Sequence, residues 1–136
     1  MSEKLRSDRH TKSLLTDHMV FSPKYRGKVL VGRVRELAEE EIREICRQMG
    51  LRIIRMSVSS DHVHIFYRYQ PKYSVSYIAN MIKGKSSRVL RERFSELREW
   101  SERALWAPSC FHGSVGHGME MVERYISNQR DYAAKR

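Results

Sequence analysis

Between Leu51 and Tyr69 the chain carries two β-rich runs separated by turn-forming residues. Leu51, Ile53, Ile54, Met56 and Val58 make the first run, Ser59, Ser60 and Asp61 the turn, and His62 to Tyr69 the second, which Pro71 ends. Two such runs joined by a short polar turn predict a β-hairpin. Side chains two apart on a strand share a face, so His62, His64, Phe66 and Arg68 fall on one side, with Val63 and Ile65 turned the other way toward a core.

The rest of the chain supplies the cover for such a hairpin. From Val34 to Met49 the apolar residues Leu37, Ala38, Ile42, Ile45 and Met49 recur at helical spacing, and Gly50 stands where a C-cap belongs. Leu14 to Ser22 reads as an earlier strand, stopped by Pro23, after which Lys24, Tyr25, Arg26, Gly27 and Lys28 form a basic turn. Ser74 to Ile82 reads as a helix, with Gly84 as an interruption and a second helical stretch from Ser86 to Trp100. A short strand is expected near Trp106, within Leu105 to Phe111. His112 to Gly118 carries Gly113, Gly116 and Gly118 and reads as a permissive, hinge-like linker to a last helix from Met119 to about Tyr132. The expected fold is α+β, a small, mostly antiparallel sheet covered by helices.

At 136 residues there is room for one domain, residues 1–136, with the charged stretch 1–13 expected to be flexible. Lysine and arginine total 26 against 16 acids, a formal net charge of +10, which points to a polyanionic partner and first of all to nucleic acid. The plain alternative is a basic protein kept soluble by its charge. The apolar stretches are too short for a membrane span, and Met1 to Ser13 lacks the apolar core of a secretory signal. Cys46 and Cys110 are far apart and belong to no C-x-x-C pair, which disfavours a zinc ribbon and a disulfide scaffold and suggests a reducing cytoplasm.

Two groups of residues have chemistry to offer. His62 and His64, about 7 Å apart at their Cα atoms on one strand face, can converge on a cation. Equally, two histidines can simply hydrogen-bond on a sheet surface. Tyr125 and Gln129 lie four apart on the last expected helix and so share a face. A tyrosine with a pKa of about 10 is a poor nucleophile near neutral pH unless its electrophile is polarised and held close, as a metal-bound phosphate is. An amide oxygen with two imidazoles suits Mg²⁺ or Mn²⁺. On their own, Tyr125 reads as a packed helix aromatic and Gln129 as a solvated surface residue. Tyr132 competes with Tyr125 but lacks a glutamine four residues on. His112 and His117 flank the glycine segment, and His10 and His18 have no motif context.

Five segments, in order, resemble the IS200/IS605-type transposases, the single-tyrosine branch of the HUH endonucleases. Phe21-Ser22-Pro23-Lys24-Tyr25-Arg26 resembles the basic turn after the first strand of that family, and Asp61-His62-Val63-His64 its two-histidine motif. Lys83-Gly84-Lys85-Ser86-Ser87-Arg88 resembles its mid-chain basic helix junction, Leu105-Trp106-Ala107-Pro108-Ser109 the segment before its last strand, and Tyr125-Ile126-Ser127-Asn128-Gln129 its tyrosine helix. The resemblance spans roughly Leu14 to Asp131. It implies a ferredoxin-like (RNA-recognition-like) antiparallel sheet with helices on one side, a C-terminal tyrosine-bearing helix, and an obligate homodimer whose active sites can be composite. It implies that His62, His64 and Gln129 hold the divalent metal, Mg²⁺ or Mn²⁺. It also implies that Tyr125 attacks a phosphate of single-stranded DNA beside hairpins at element ends, giving a 5′-phosphotyrosine and a free 3′-hydroxyl. Lys24, Arg26, Lys83, Lys85 and Arg88 are the candidate nucleic-acid contacts, and the setting is a prokaryotic cytoplasm, associated with the nucleoid. Two other readings stand beside this one. The first is a non-catalytic regulator, derived from a transposase, that binds hairpin DNA or RNA. The second is a domesticated relative that cuts repeated palindromes in its host genome.

Overall fold

The structure, a computed structural model, describes residues 15–113 together with the backbone of two short strands, β1 (Arg6–Ser7) and β2 (Lys12–Ser13), which pair antiparallel with each other. The main sheet is built from β3 (Leu15–Phe21), β4 (Arg52–Ser59), β5 (His62–Tyr69) and β6 (Phe111–Gly113). Its order is β4-β5-β3-β6 with every neighbour antiparallel. Helix α1 (Gly32–Gln48) connects β3 to β4, and α2 (Val75–Arg93) with α3 (Ser95–Trp100) leads from β5 to β6. This is the ferredoxin-like arrangement that the resemblance implied.

Local sequence explains most of these elements. Val34, Ala38, Ile42, Ile45 and Cys46 form the buried stripe of α1. The helix ends where Gly50 takes a left-handed φ of 74°. Gly50 N–H then donates to the Arg47 carbonyl and Leu51 N–H to the Cys46 carbonyl, so carbonyls of the last turn are satisfied before the chain enters β4. The hairpin falls where the turn residues place it, with Val58 opposite Val63 and Ser59 opposite His62. Val63, Ile65 and Tyr67 of β5 and Met19 and Phe21 of β3 are buried against Ala38, Ile42, Ile78, Ile82 and Leu90 of the two long helices. The opposite face of the sheet carries the half-buried His62, His64 and Phe66.

Three expectations are corrected. Gly84 does not interrupt a helix: α2 runs through it without a break. A glycine in a helix interior costs about 1 kcal/mol relative to alanine, less than is gained by burying Ile78, Ala79, Ile82 and Leu90 along one stripe. The helix stops ten residues later, at Phe94, whose extended φ and ψ of −127° and 102° separate α2 from α3. Second, the neighbourhood of Trp106 holds a single bridge to Pro23 rather than a strand. The edge strand lies at Phe111–Gly113, so His112 and Gly113, expected to open the linker, are paired with Met19 and His18. Third, the Lys83–Arg88 segment is not a helix junction, so no helix N-terminus is available there to receive a phosphate. The remainder of the linker and the last helix, with Tyr125, Gln129, Tyr132 and His117, lie outside the described residues.

Candidate active site

The alternation of β5 sets the site. Val63 and Ile65 are drawn into the core, which forces His62 and His64 onto the open face. Across the sheet, β3 alternates in the same way. Asp17, Met19 and Phe21 face the helices, and His18 faces out, beside His64. The His18 Nδ1 to His64 Nε2 distance is 3.0 Å. The His18 ring is stacked on Phe66 with centroids 4.2 Å apart, which fixes its plane. Burial lowers the pKa of His64, with His18, His62 and Arg55 adding to the effect; burial likewise lowers that of His18, with Asp17 opposing. Both imidazoles are therefore biased toward the neutral form that metal ligation requires.

His62 is held differently. Its Nδ1 lies 3.0 Å from Asp61 Oδ1, and Asp61 Oδ2 lies 3.1 Å from Nε of Arg26. Arg26 reaches it from an unusual turn. Tyr25 and Arg26 both have left-handed φ values, 59° and 54°, a conformation costing about 1–3 kcal/mol per non-glycine residue. The turn is held from several sides. Arg26 N–H donates to the Pro23 carbonyl, Gly27 N–H to that of Lys24, and Lys24 N–H to that of Leu105. The Trp100 ring lies so close to Gly27 that a Cβ there would collide with it.

A second polar cluster sits on the helix side of the sheet. Asp17, nearly buried, accepts hydrogen bonds through Oδ2 from the Tyr67 hydroxyl and from His112 Nδ1, each 2.7 Å long. Burial alone would lower the pKa of His112, but the hydrogen bonds and charges of Asp17 and Cys110 outweigh it and push it up to about 9. Burial, the Asp17 charge and the hydrogen bond push the Tyr67 phenol upward, so it stays a donor. This cluster fastens β6 to β3 and β5.

Most of the basic candidates are placed along α2 and the first turn. Lys24 is half-exposed in that turn, and Arg26 is buried against Asp61. Lys83 is half-buried, and its ammonium donates to the carbonyls of Ala107 at 2.7 Å and Ser109 at 3.1 Å, with Pro108 at 3.4 Å. Burial lowers its pKa. The serines beside it turn inward too. Ser86 Oγ accepts from Trp106 Nε1, and Ser87 Oγ accepts from the Leu105 N–H. The basic run therefore pins the Leu105–Ser109 segment to α2. Arg88 is exposed and lines a cleft of about 590 Å³ together with Lys83, Arg91, Arg98 and Arg103. Lys85 is half-exposed on the same helix.

Sequence reasoning found His62 and His64 but missed His18, Arg55 and the role of Asp61. His18 has no motif around it, and its place beside His64 follows from a strand pairing that no local pattern announces. Among the described residues, no group of three or more His, Cys, Asp or Glu side chains is arranged to hold a metal ion. What the site offers is three imidazoles on an open sheet face, His18 and His64 in contact with each other and His62 with its Nδ1 tied to a carboxylate. That donor set fits a divalent cation completed by an oxygen ligand from elsewhere.

The chain is thus a ferredoxin-like sheet with histidines grouped on its open face and an arginine-lined cleft on its helix side. Residues 11–129 match the family described as Transposase IS200 like, and the chain belongs to that family. It is 32% identical over 121 residues to the transposase for insertion sequence element IS200 of Salmonella typhimurium, covering 88% of this chain and 80% of that one. It is also 32% identical over 117 residues to the ISDra2 transposase TnpA of Deinococcus radiodurans, covering 84% and 83%. Among solved structures, a protein of Deinococcus radiodurans R1 described as a transposase superposes with a TM-score of 0.85 at 29% identity, over 90% of this chain and 96% of that one. A REP-associated tyrosine transposase bound to a REP hairpin shares the fold, with a TM-score of 0.55 at 11% identity over 87% and 68% of the two chains. No helix among the described residues is long and apolar enough to cross a membrane.

Proposed function

We propose that this transposase cuts and rejoins single-stranded DNA through a 5′-phosphotyrosine formed on Tyr125. His62, His64 and Gln129 hold Mg²⁺ or Mn²⁺, and hairpin DNA marks the ends that are cut. The observation that carries this reading is the histidine pair on the open face, His62 with its Nδ1 anchored by Asp61 and His64 biased by burial toward the neutral form. A transposase that only bound DNA would have no use for that arrangement. When bound, the divalent ion neutralises charge on the scissile phosphate. Tyr125 supplies the phenolic oxygen that attacks phosphorus, displacing the 3′-oxygen of the neighbouring nucleotide. The P–O bond to tyrosine replaces the P–O bond to the sugar, so a later 3′-hydroxyl reverses the step without an external energy source. The similarity in fold to a hairpin-bound tyrosine transposase supports hairpin DNA as the partner. The working unit is a homodimer whose sites combine the histidines of one protomer with the tyrosine of its partner.

A covalent-adduct assay tests this. The chain is incubated with Mg²⁺ and labelled single-stranded DNA carrying the hairpin and flank from its own locus, then resolved on a denaturing gel. The expected result is a labelled adduct that is lost with EDTA and with Tyr125→Phe and survives Tyr132→Phe. Tight hairpin binding without an adduct would replace this reading with the non-catalytic, hairpin-binding regulator.

A further inference from the structure

Arg26 lies in a basic turn, where a phosphate contact is the ordinary expectation. Its side chain is instead only 6% exposed and faces Asp61, itself 13% exposed. The Arg26 Nε–H points outside hydrogen-bond geometry, so the contact through Nε is an ion pair. The other carboxylate oxygen of Asp61 meets His62 Nδ1 at 3.0 Å. An ionised carboxylate can only accept, so the proton in that bond belongs to Nδ1. A neutral imidazole carries one proton, and Nε2 is then left with its lone pair for a ligand. Two left-handed residues in succession, held by Trp100 and the Leu105 carbonyl, deliver the guanidinium to this place. Strain that the surroundings hold in this way marks a structural demand at the tip of the turn.

We propose that Arg26 and Asp61 are positioning residues for His62. Arg26 anchors the carboxylate, and the carboxylate fixes the tautomer and ring plane of His62 so that Nε2 faces the open side of the sheet. Two motifs more than thirty residues apart thus act as one device, and Arg26 is withdrawn from DNA. The consequence for metal binding rests on the reading under Proposed function; the tautomer rests on geometry alone.

Imidazole ¹⁵N spectra of the full chain at neutral pH test the tautomer directly. The expected result is His62 protonated on Nδ1 and bare on Nε2, becoming a tautomer mixture in Asp61→Ala and Arg26→Gln and restored toward the native pattern in Arg26→Lys. Mn²⁺ titration calorimetry is expected to show affinity falling roughly 10–100-fold in Asp61→Ala and Arg26→Gln, and less in Arg26→Lys. Hairpin affinity and its salt dependence should not change. His62 protonated on Nε2 in the unaltered protein would overturn the proposal, and this measurement needs no variant to fold. So would an Arg26→Gln variant with native Mn²⁺ affinity and a salt slope of hairpin binding reduced by about one, the mark of a lost phosphate contact. If the unaltered protein binds no Mn²⁺, the metal reading fails, and the His62 tautomer still decides whether the pair holds that ring.

Discussion

His112 shows what a single contact does for this fold. It sits on the short edge strand β6 and reaches Asp17 on the neighbouring β3, a carboxylate that is nearly buried and shared with Tyr67. Because its pKa rises from 6.5 in the unfolded chain to about 9 in the fold, the pairing is at full strength below about pH 6.5. It is lost as pH climbs through 9. Urea unfolding at pH 6 and pH 10 should therefore show a stability loss at the higher pH of about 1–2 kcal/mol from this residue, discounted for the solvent that reaches a partly buried ring. His112→Gln should flatten that difference. At the same scale, Gly27→Ala forces a Cβ into the Trp100 ring and should lower stability by about 1–3 kcal/mol, read as a lower thermal midpoint. The glycine is needed there for space, since it is Tyr25 and Arg26 that carry the positive φ.

Helix α2 carries the clearest lesson at the level of elements. Gly84 and the serines after it read as a break, yet the buried stripe continues past them through Ser86, Ser87 and Leu90. A Cβ at Gly84 would meet nothing within 4 Å, so Gly84→Ala should stabilise the helix by about 0.5–1 kcal/mol and raise the thermal midpoint by a few degrees. Ser86→Ala should do the reverse. It leaves the buried Trp106 Nε1–H without its acceptor, at a cost of about 1–3 kcal/mol. Lys83 belongs to this structural work as well, since its ammonium is committed to the carbonyls of the 107–109 segment. The hairpin and α1, by contrast, were readable from period alone. Their apolar residues repeat at two and at three to four positions with turn and cap residues at the ends, and each element lies within one or two residues of its expected bounds.

For the whole molecule the sheet separates two surfaces. The histidines occupy its open face, and the arginine-lined cleft lies on the side of the helices. Arg91 and Arg98 donate to backbone carbonyls and shape the cleft, whereas Arg88 and Arg103 line it as exposed side chains. Arg88→Gln and Arg103→Gln should each weaken hairpin DNA binding across sequences and reduce its salt slope by about one, measured by anisotropy titrations at several salt concentrations. Lys83→Gln should instead act mainly on stability.

Alternation and helical period are local properties, and they were sufficient for the α+β class, the hairpin, the long first helix and the placing of His62 and His64 on one face. The Tyr125 and Gln129 assignments came from resemblance and remain a proposal. What only the tertiary structure decided are the meetings between distant parts of the chain: His18 with His64, Asp17 with His112, Tyr67 with Asp17 and Arg26 with Asp61. Each depends on which strands pair and in what register, and that is settled by burying the apolar faces of β3 and β5 together beneath α1 and α2. The polar side chains between those apolar positions are carried to their partners by the same register.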